Sequence, residues 1–280
     1  MSNELNDEIE RNVRAALAED VGGGDWTAQL LPEGQTATAT IVCRVPAVIC
    51  GQRWAENTML ALDRGMRIEW LVPEGASVAG GETICRMHGR TRALLTGERT
   101  ALNFLQMLSA VATATWRYVE AVRGTRAKIL DTRKTLPGLR LAEKYAVTVG
   151  GGMNHRKGLY DGILIKENHI AAAGSVSAAL KRAQGLAPAG VWIQIEVETR
   201  AQLEEALSAG AKMVLLDNMT PAQMAEAVKL AAGRAELEAS GGITLDTVRE
   251  IAETGVDRIS IGSLTKDIDA IDLSMRLASK

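Results

Sequence analysis

A repeated alternation of strand and helix in the second half of this 280-residue chain constrains its fold most strongly. Six short apolar runs have the composition of buried strands: Lys128–Leu130, Gly162–Ile165, Trp192–Ile195, Met213–Leu216, Glu236–Ala239 and Arg258–Ile261. Helical segments separate most of them: Ser175–Gln184, Thr199–Ala209, Pro221–Ala232 and Leu245–Glu253. A short strand followed by a helix, repeated about six times, predicts a parallel α/β barrel. An open doubly wound sheet is the alternative topology.

The first third of the chain has a different pattern, which predicts an α+β domain. Apolar residues have helical spacing at residues 4–17, 52–62 and 91–115. Strand-like runs lie between these segments, at residues 36–51, 68–71 and 83–87. Pro46 interrupts the first of these strand-like runs. The predicted limits are an N-terminal α+β domain at 1–115, with residues 267–280 packed against it, and a barrel domain at 116–266.

Composition excludes several classes of protein. A net charge of -2 with 24% charged residues argues against general affinity for nucleic acid or an anionic membrane. Cys43, Cys50 and Cys85 have no CxxC spacing, so we expect buried thiols rather than a zinc site or a set of disulfides. No signal-like core begins the chain, and no run approaches the roughly 20 apolar residues of a spanning helix. We therefore expect a soluble cytoplasmic protein.

The residues that follow each strand-like run indicate where the chemistry lies, because barrel active sites form at the carboxyl ends of strands. The first two ends are cationic, the next two acidic and the last two rich in glycine. In chain order they are Asp131-Thr132-Arg133-Lys134, Lys166-Glu167-Asn168-His169, Glu196-Val197-Glu198, Asp217-Asn218, Ser240-Gly241-Gly242 and Gly262-Ser263-Leu264-Thr265.

A local cluster of cations lies between residues 128 and 170, where Asn154-His155-Arg156-Lys157 adds to the first two strand ends. A single Lys or Arg at a strand end is usually ordinary solvated surface. Several held together repel one another unless a polyanionic ligand compensates them. The cluster therefore predicts a binding site for an anion.

The acidic and glycine-rich ends predict the rest of the ligand. Glycine loops that open onto helix N-termini offer N–H donors to phosphate, although Ser-Gly-Gly also forms plain turns. Glu196 and Asp217 would bind Mg²⁺, accept hydrogen bonds from sugar hydroxyls, or act as acid and base. The alternative is that one of them caps the following helix. Glu198, at a cap-like distance before Thr199, is interpreted as the less functional glutamate.

These motifs together resemble the quinolinate phosphoribosyltransferases, also called nicotinate-nucleotide pyrophosphorylases (carboxylating). The resemblance runs in order from the N-terminal helix to the last strand and is carried by GERTALNFLQ at 97–106, DTRKTLPGLR at 131–140, GGGMNHRKG at 150–158, LIKENHI at 164–170, EVE at 196–198, LDNM at 216–219, ASGGI at 239–243 and IGSLT at 261–265. It implies an α/β sandwich domain before an incomplete α/β barrel. It also implies conversion of quinolinate and phosphoribosyl pyrophosphate into nicotinate mononucleotide, pyrophosphate and CO₂, with Mg²⁺, in de novo NAD biosynthesis.

The resemblance also implies roles for individual residues. The catalytic group would be Lys134, Lys166, Glu196 and Asp217, of which Glu196 and Asp217 lie near the ribose hydroxyls and metal. Quinolinate would be held by Arg133, His155, Arg156 and Lys166, beside Thr132, and the 5′-phosphate by Ser240, Gly241, Gly242, Gly262 and Ser263. Members of the family are dimers or larger, so Arg99 would come from a neighbouring chain. Lys266 lies where members vary.

Two rival functions follow from the same residues. A paralogue associated with molybdenum transport would keep the phosphoribosyl half of the site and change the acid-binding half. The intact Thr132-Arg133-Lys134 and Asn154-His155-Arg156 argue against it. A non-catalytic protein that binds a sugar phosphate through its glycine loops would leave the two arginines unexplained.

Overall fold

The computed structural model describes residues 3–278 and contains two compact units. One unit comprises the described residues up to Trp116, residues 135–151 and the described residues from Thr265 onward; the other comprises residues 117–134 and 152–264. Residues 135–151, which the predicted limits assign to the barrel, thus group with the first unit. The domain limits themselves stay a prediction, since compactness does not test whether each part folds alone.

The first unit is built on a four-stranded antiparallel sheet. The strands of the whole unit, in chain order, are β1 (Thr36–Cys43), β2 (Ala47–Val48), β3 (Arg67–Trp70), β4 (Ser77–Val78), β5 (Glu82–Arg90) and, near the end of the chain, β12 (Leu273–Leu277). The order in the sheet is β12-β1-β5-β3, and β2 pairs separately with β4. The break between β1 and β2 falls at Pro46, which has no N–H to donate to a ladder.

Among the described residues, four α-helices lie wholly or mainly in this unit: α1 (Asn3–Val21), α2 (Gln52–Leu62), α3 (Thr91–Ala121) and α4 (Arg140–Val149). Trp54 of α2 is fully buried, and its indole Nε1–H donates to Asn12 Oδ1 of α1 at 3.1 Å. Tyr145 of α4 packs against the same indole, with ring centroids 5.6 Å apart. These contacts fasten α1, α2 and α4 to one another within the unit.

The second unit is built on six parallel strands: β6 (Lys128–Leu130), β7 (Gly162–Ile165), β8 (Trp192–Val197), β9 (Met213–Asp217), β10 (Glu236–Ser240) and β11 (Arg258–Ser260). Their order is β6-β11-β10-β9-β8-β7, so β6 and β7 are the two edges and the sheet does not close on itself. The segment around Met153 adds to the β6 edge, where Met153 N donates to Ile129 O at 2.8 Å. The predicted parallel barrel, in the incomplete form that the resemblance implies, is confirmed.

Short helices follow the strands from β7 onward: α5 (Glu167–Ala173), α6 (Val176–Leu186), α7 (Arg200–Ser208), α8 (Pro221–Ala231), α9 (Val248–Glu253) and α10 (Ser263–Lys266). Ser175, Thr199 and Thr220 cap α6, α7 and α8 through side-chain oxygens that accept backbone N–H groups. Within residues 3–278, none of the helices is both long and apolar enough to cross a bilayer.

Candidate active site

The carboxyl ends of the six parallel strands bring most of the predicted site residues to one face of the sheet. Ser240 pairs with Asp217, and Glu196 pairs with Leu215, which lies two residues before Asp217. Paired residues share a face, and alternate residues of one strand do too. The same rule puts Leu130 of β6, Leu164 of β7 and Ser260 of β11 on this face. Thr132, Lys166 and Gly262 follow two residues further along the chain.

An acidic pair and a lysine form the centre of this face. Lys166 Nζ lies 3.4 Å from Glu196 Oε2, and Glu196 is only 8% exposed. Burial raises the pKa of Glu196; the positive charge of Lys166 lowers it, and the negative charge of Asp217 raises it again. Glu196 and Asp217 are therefore close enough to interact, as adjacent strands require.

The structure excludes the alternative that these carboxylates are helix caps. Thr199 caps α7 and Thr220 caps α8, each in a capping box with the glutamine three residues later. The cap of α7 is Thr199, one residue after the cap-like position expected for Glu198. The side chain of Glu198 is exposed, and its backbone N–H donates to Gln202 Oε1 at 2.8 Å.

The donor set fits a Mg²⁺ ion that is shared with a phosphorylated substrate. Over residues 3–278 there is no cluster of three or more His, Cys, Asp or Glu side chains able to enclose a metal. Mg²⁺ is often held by only one or two carboxylates, with substrate phosphates and waters completing its octahedron. Glu196 and Asp217 supply two such carboxylates, and Asn218 Nδ2 donates to Asp217 Oδ2 at 2.9 Å.

The second unit also holds a group of cationic side chains. Burial lowers the pKa of Arg156, and repulsion from Arg133 lowers it further, while the charge of Asp161 raises it. The two guanidinium groups are therefore close enough to interact. Arg156 Nη1 donates to Gly162 O at 3.1 Å. Lys134 extends over Gly262, where an added Cβ would lie 3.0 Å from Lys134 Cδ. Glycine at 262 thus leaves room for a cation of the neighbouring strand end.

His155 sits under this group with its ring engaged by the protein. Its backbone N–H donates to Asp131 Oδ1 at 2.8 Å, and its Nδ1 accepts the Arg156 backbone N–H at 2.8 Å. Its Nε2 is 2.9 Å from Gln194 Oε1, and Gln194 Nε2 donates to Glu238 Oε2 at 3.0 Å. Sequence reasoning missed Gln194 and Glu238. Their signal was a polar residue at alternate positions of otherwise apolar strands, WIQIEV and ELEAS.

The two glycine-rich loops differ in how they meet a helix. Ser263 begins α10 directly after Gly262, as expected, whereas α9 begins only at Val248, after a turn in which Thr247 N donates to Thr244 O. The expectation of a glycine loop opening straight onto a helix is therefore wrong for the first loop. Gly241 has φ 107°, and a Cβ there would lie 2.1 Å from Asn218 Oδ1. Only glycine fits that position.

Arg99 and Lys266 do not belong to the unit that holds the parallel strands. Arg99 is exposed on α3 in the first unit, whereas the other predicted site residues all belong to the second. Lys266, at the end of α10, has its ammonium 2.6 Å from Asp267 Oδ1.

Similarity to known proteins agrees with this geometry. The family pattern described as "Quinolinate phosphoribosyl transferase, C-terminal domain" matches residues 111–276, and its N-terminal counterpart matches residues 25–109. The chain is 44% identical to the probable nicotinate-nucleotide pyrophosphorylase [carboxylating] of Bacillus subtilis, over 92% of this chain and 89% of that protein. It is 42% identical to the Mycobacterium leprae nicotinate-nucleotide pyrophosphorylase [carboxylating], over 95% of each chain.

Among solved structures, the nicotinate-nucleotide pyrophosphorylase from Francisella tularensis superposes with a TM-score of 0.94 at 44% identity, covering 98% of this chain and 97% of that one. A barrel whose strand ends join cations, paired carboxylates and glycine loops defines an enzyme of the phosphoribosyl-transferring class. The chain belongs to the quinolinate phosphoribosyltransferase family.

Proposed function

We propose that this chain transfers the phosphoribosyl group of phosphoribosyl pyrophosphate to the ring nitrogen of quinolinate and removes one carboxylate as CO₂. The products are nicotinate mononucleotide, pyrophosphate and CO₂, in a step of de novo NAD biosynthesis. The carrying observation is that one parallel barrel holds two interacting guanidinium groups and, at its strand ends, a carboxylate pair next to Lys166, in a member of this family.

The cationic group is assigned to quinolinate, which carries two carboxylates. Arg133 and Arg156 repel each other in the free protein, and a dicarboxylate would relieve that repulsion while accepting charged hydrogen bonds. Lys166 adds a third cation next to Glu196, and Thr132 borders the group. His155 would contribute to quinolinate binding indirectly, by holding the backbone N–H of Arg156. Both of its ring nitrogens already have protein partners.

The remaining residues are assigned to phosphoribosyl pyrophosphate. Glu196 and Asp217 would hold the ribose hydroxyls and Mg²⁺, and Lys134 and Lys166 would lie near the pyrophosphate. The loops at Ser240-Gly241-Gly242 and Gly262-Ser263 would receive the 5′-phosphate on backbone N–H groups. Bound Mg²⁺ would neutralise part of the negative charge of the pyrophosphate.

The chemistry requires charge stabilisation more than a general base. Pyrophosphate leaves the anomeric carbon with its bonding electron pair as the ring nitrogen of quinolinate bonds to that carbon, so positive charge develops on the sugar. Carboxylates near the ribose and cations near the leaving group stabilise the two opposite charges. The carboxylate next to the now cationic ring nitrogen then departs as CO₂, and the carbon it leaves takes up a proton.

We also propose a cytoplasmic homodimer or larger homo-oligomer in which Arg99 completes the site of a neighbouring chain. Leu95, Arg99 and Asn103 are all exposed and lie four residues apart, so they form one stripe along α3. An exposed stripe that joins an apolar, a cationic and a polar side chain suits contact with a second copy.

Product analysis with a panel of acceptors tests the proposed function. The folded protein is incubated with phosphoribosyl pyrophosphate, Mg²⁺ and quinolinate, nicotinate, nicotinamide or no acceptor, and products are identified by mass spectrometry. We expect nicotinate mononucleotide from quinolinate alone. Turnover with an acceptor other than quinolinate would support the molybdenum-associated paralogue, and binding of phosphoribosyl pyrophosphate with no product would support a non-catalytic sugar-phosphate binder.

A further inference from the structure

Three buried polar side chains cross the interior face of the barrel beneath the candidate active site. His155 Nε2 lies 2.9 Å from Gln194 Oε1, and Gln194 Nε2 lies 3.0 Å from Glu238 Oε2. Gln194 is 1% exposed and Glu238 is 0% exposed. Neither Gln194 nor Glu238 has a role in the function proposed above.

The backbone N–H of Arg156 sets the direction of both hydrogen bonds that link His155, Gln194 and Glu238, which we call the hydrogen-bonded row. The Arg156 N–H can only donate, so His155 Nδ1 must accept it and cannot carry the proton of a neutral ring. The neutral ring then carries its proton on Nε2 and donates to Gln194 Oε1. The Gln194 amide is thereby oriented with its NH₂ toward the Glu238 carboxylate.

The strand topology places this hydrogen-bonded row directly under the candidate active-site residues. Gln194 on β8 and Glu238 on β10 lie on either side of β9, so their hydrogen bond crosses a whole strand along the interior face. Glu196 and Ser240 are two residues further along the same two strands, on the same face. Buried polar groups cost free energy relative to a well-packed apolar layer, so this layer is expected to serve a purpose other than stability.

The hydrogen-bonded row ends at His155, on the loop that carries Arg156. Asp131 accepts the His155 backbone N–H at 2.8 Å, and the Trp192 ring meets the imidazole edge-on with centroids 5.0 Å apart. The imidazole in turn accepts the Arg156 N–H, while Arg156 Nη1 donates to Gly162 O at 3.1 Å. The position of the Arg156 backbone therefore depends on where the His155 ring is held.

We propose that Gln194 and Glu238 are positioning residues for quinolinate: they hold His155, and through its Nδ1 they fix the backbone that presents Arg156. This role rests on the proposed function, since it assumes that Arg156 binds the acceptor. Both residues are buried, so they would act without touching substrate. Their removal should therefore weaken quinolinate binding and leave the use of phosphoribosyl pyrophosphate largely unchanged.

A pair of substitutions at one position separates positioning from general damage. Glu238→Leu keeps the approximate size but deletes the acceptor, and should raise the KM for quinolinate about 10- to 100-fold, as a displaced binding group does. The KM for phosphoribosyl pyrophosphate should change less than about 3-fold. Glu238→Gln still offers an oxygen to the Gln194 NH₂, so it should restore the quinolinate KM to within about 3-fold of wild type.

Glu236→Leu is the matched control, since Glu236 lies two residues earlier on the same strand, is exposed and pairs with Arg258. It should leave both KM values unchanged. Equal effects of Glu238→Leu on the two KM values, no effect, or failure of Glu238→Gln to restore binding would overturn the proposal. A wild-type protein that does not turn over quinolinate at all would instead refute the proposed function.

The tautomer of His155 gives a second test, which is measured on the wild-type protein. Long-range ¹H–¹⁵N spectra of the wild-type holoenzyme should show the His155 ring protonated on Nε2 and accepting a hydrogen bond on Nδ1. His155→Asn identifies its signals among those of the three histidines. A ring protonated on Nδ1 would break the hydrogen-bonded row and overturn the proposal.

Discussion

At the scale of single residues, Arg156 makes the sharpest prediction about substrate selectivity. Quinolinate has one carboxylate more than nicotinate, and that group would be desolvated without a partner if a guanidinium were missing. Losing a charged hydrogen-bond partner in a buried site costs about 2–5 kcal/mol. We expect Arg156→Ala to weaken quinolinate binding by roughly 30-fold to several thousand-fold, measured by calorimetry.

A surface arginine provides the control for this substitution. Arg200 is exposed on α7 and pairs with Glu204, so Arg200→Ala should leave quinolinate binding unchanged. Binding of phosphoribosyl pyrophosphate should persist in both variants. Unchanged quinolinate affinity in Arg156→Ala would remove this arginine from the site.

Glu196 and Asp217 make a complementary prediction about the other substrate. Glu196→Gln and Asp217→Asn keep the shape of each side chain but delete its charge, so they should impair the use of phosphoribosyl pyrophosphate and raise the Mg²⁺ concentration needed for activity. A loss of about 10²-fold or more in kcat is expected for groups that stabilise developing charge. Quinolinate binding to the free enzyme should survive. Normal activity and metal dependence in both variants would show that these carboxylates have no part in catalysis.

At the scale of elements, strand positions followed from the sequence more closely than strand ends. β6 and β7 have the predicted limits, because charged residues follow their apolar runs at once. β8, β9 and β10 each run further than predicted and include Glu196, Asp217 and Ser240. Composition alone ends a strand at its last apolar residue, whereas the backbone ladder continues through polar residues whose side chains face the site.

The polar interior layer was beyond sequence reasoning for a related reason. Gln194 and Glu238 are 44 positions apart and on strands that are not neighbours, so no local pattern pairs them. Residue type and strand ends predicted the candidate residues at the carboxyl ends of the strands, including Lys166 and the acidic pair, and their roles stay predictions. The hydrogen bonds that orient His155 depend on the order of strands, which a single sequence does not specify.

Helix α4 makes a prediction about stability and pH. Glu143 is fully buried, its Oε2 accepts the Leu136 N–H at 3.1 Å, and burial raises its pKa to about 8. The hydrogen bond from Leu136 and the charge of Arg140 oppose that shift without cancelling it. A carboxyl with a raised folded-state pKa favours folding when it is protonated, so this stability is complete below the unfolded pKa of about 4.3 and is lost as the pH rises through about 8.

Glu143→Gln removes this dependence because the amide stays neutral. Relative to wild type, the variant should gain at least about 1 kcal/mol in the free energy of unfolding between pH 5.5 and pH 8.5, measured by urea titration at each pH. Glu10→Gln, at an exposed position on α1, should show no such change. A constant difference between Glu143→Gln and wild type across this range would mean that Glu143 titrates alike in the folded and unfolded states.

At the scale of the whole molecule, the proposed sharing of active sites predicts rescue between two variants that should each be inactive. In the proposed isologous dimer, each site takes one Arg99 from across the interface, whereas Lys166 serves its own chain. In a mixed dimer of Arg99→Ala with Lys166→Ala, one site receives both wild-type residues and the other receives neither. Random reassociation makes about half of the dimers mixed, so roughly a quarter of wild-type activity should return.

Unfolding, mixing in equal amounts and refolding measures this rescue, with each variant refolded alone as the control. Activity that stays at the level of the separate variants, despite demonstrated subunit exchange, would mean that Arg99 acts within its own chain or has no role.

The central claim, transfer coupled to decarboxylation, is tested most directly by the fate of the two carboxylates of quinolinate. Quinolinate labelled with ¹⁴C in the carboxylate next to the ring nitrogen is incubated with enzyme, phosphoribosyl pyrophosphate and Mg²⁺, and CO₂, pyrophosphate and nucleotide are quantified together. We predict equal amounts of all three, with the label entirely in CO₂ and the other carboxylate kept in nicotinate mononucleotide. Label retained in the nucleotide, or pyrophosphate released without CO₂, would contradict the account.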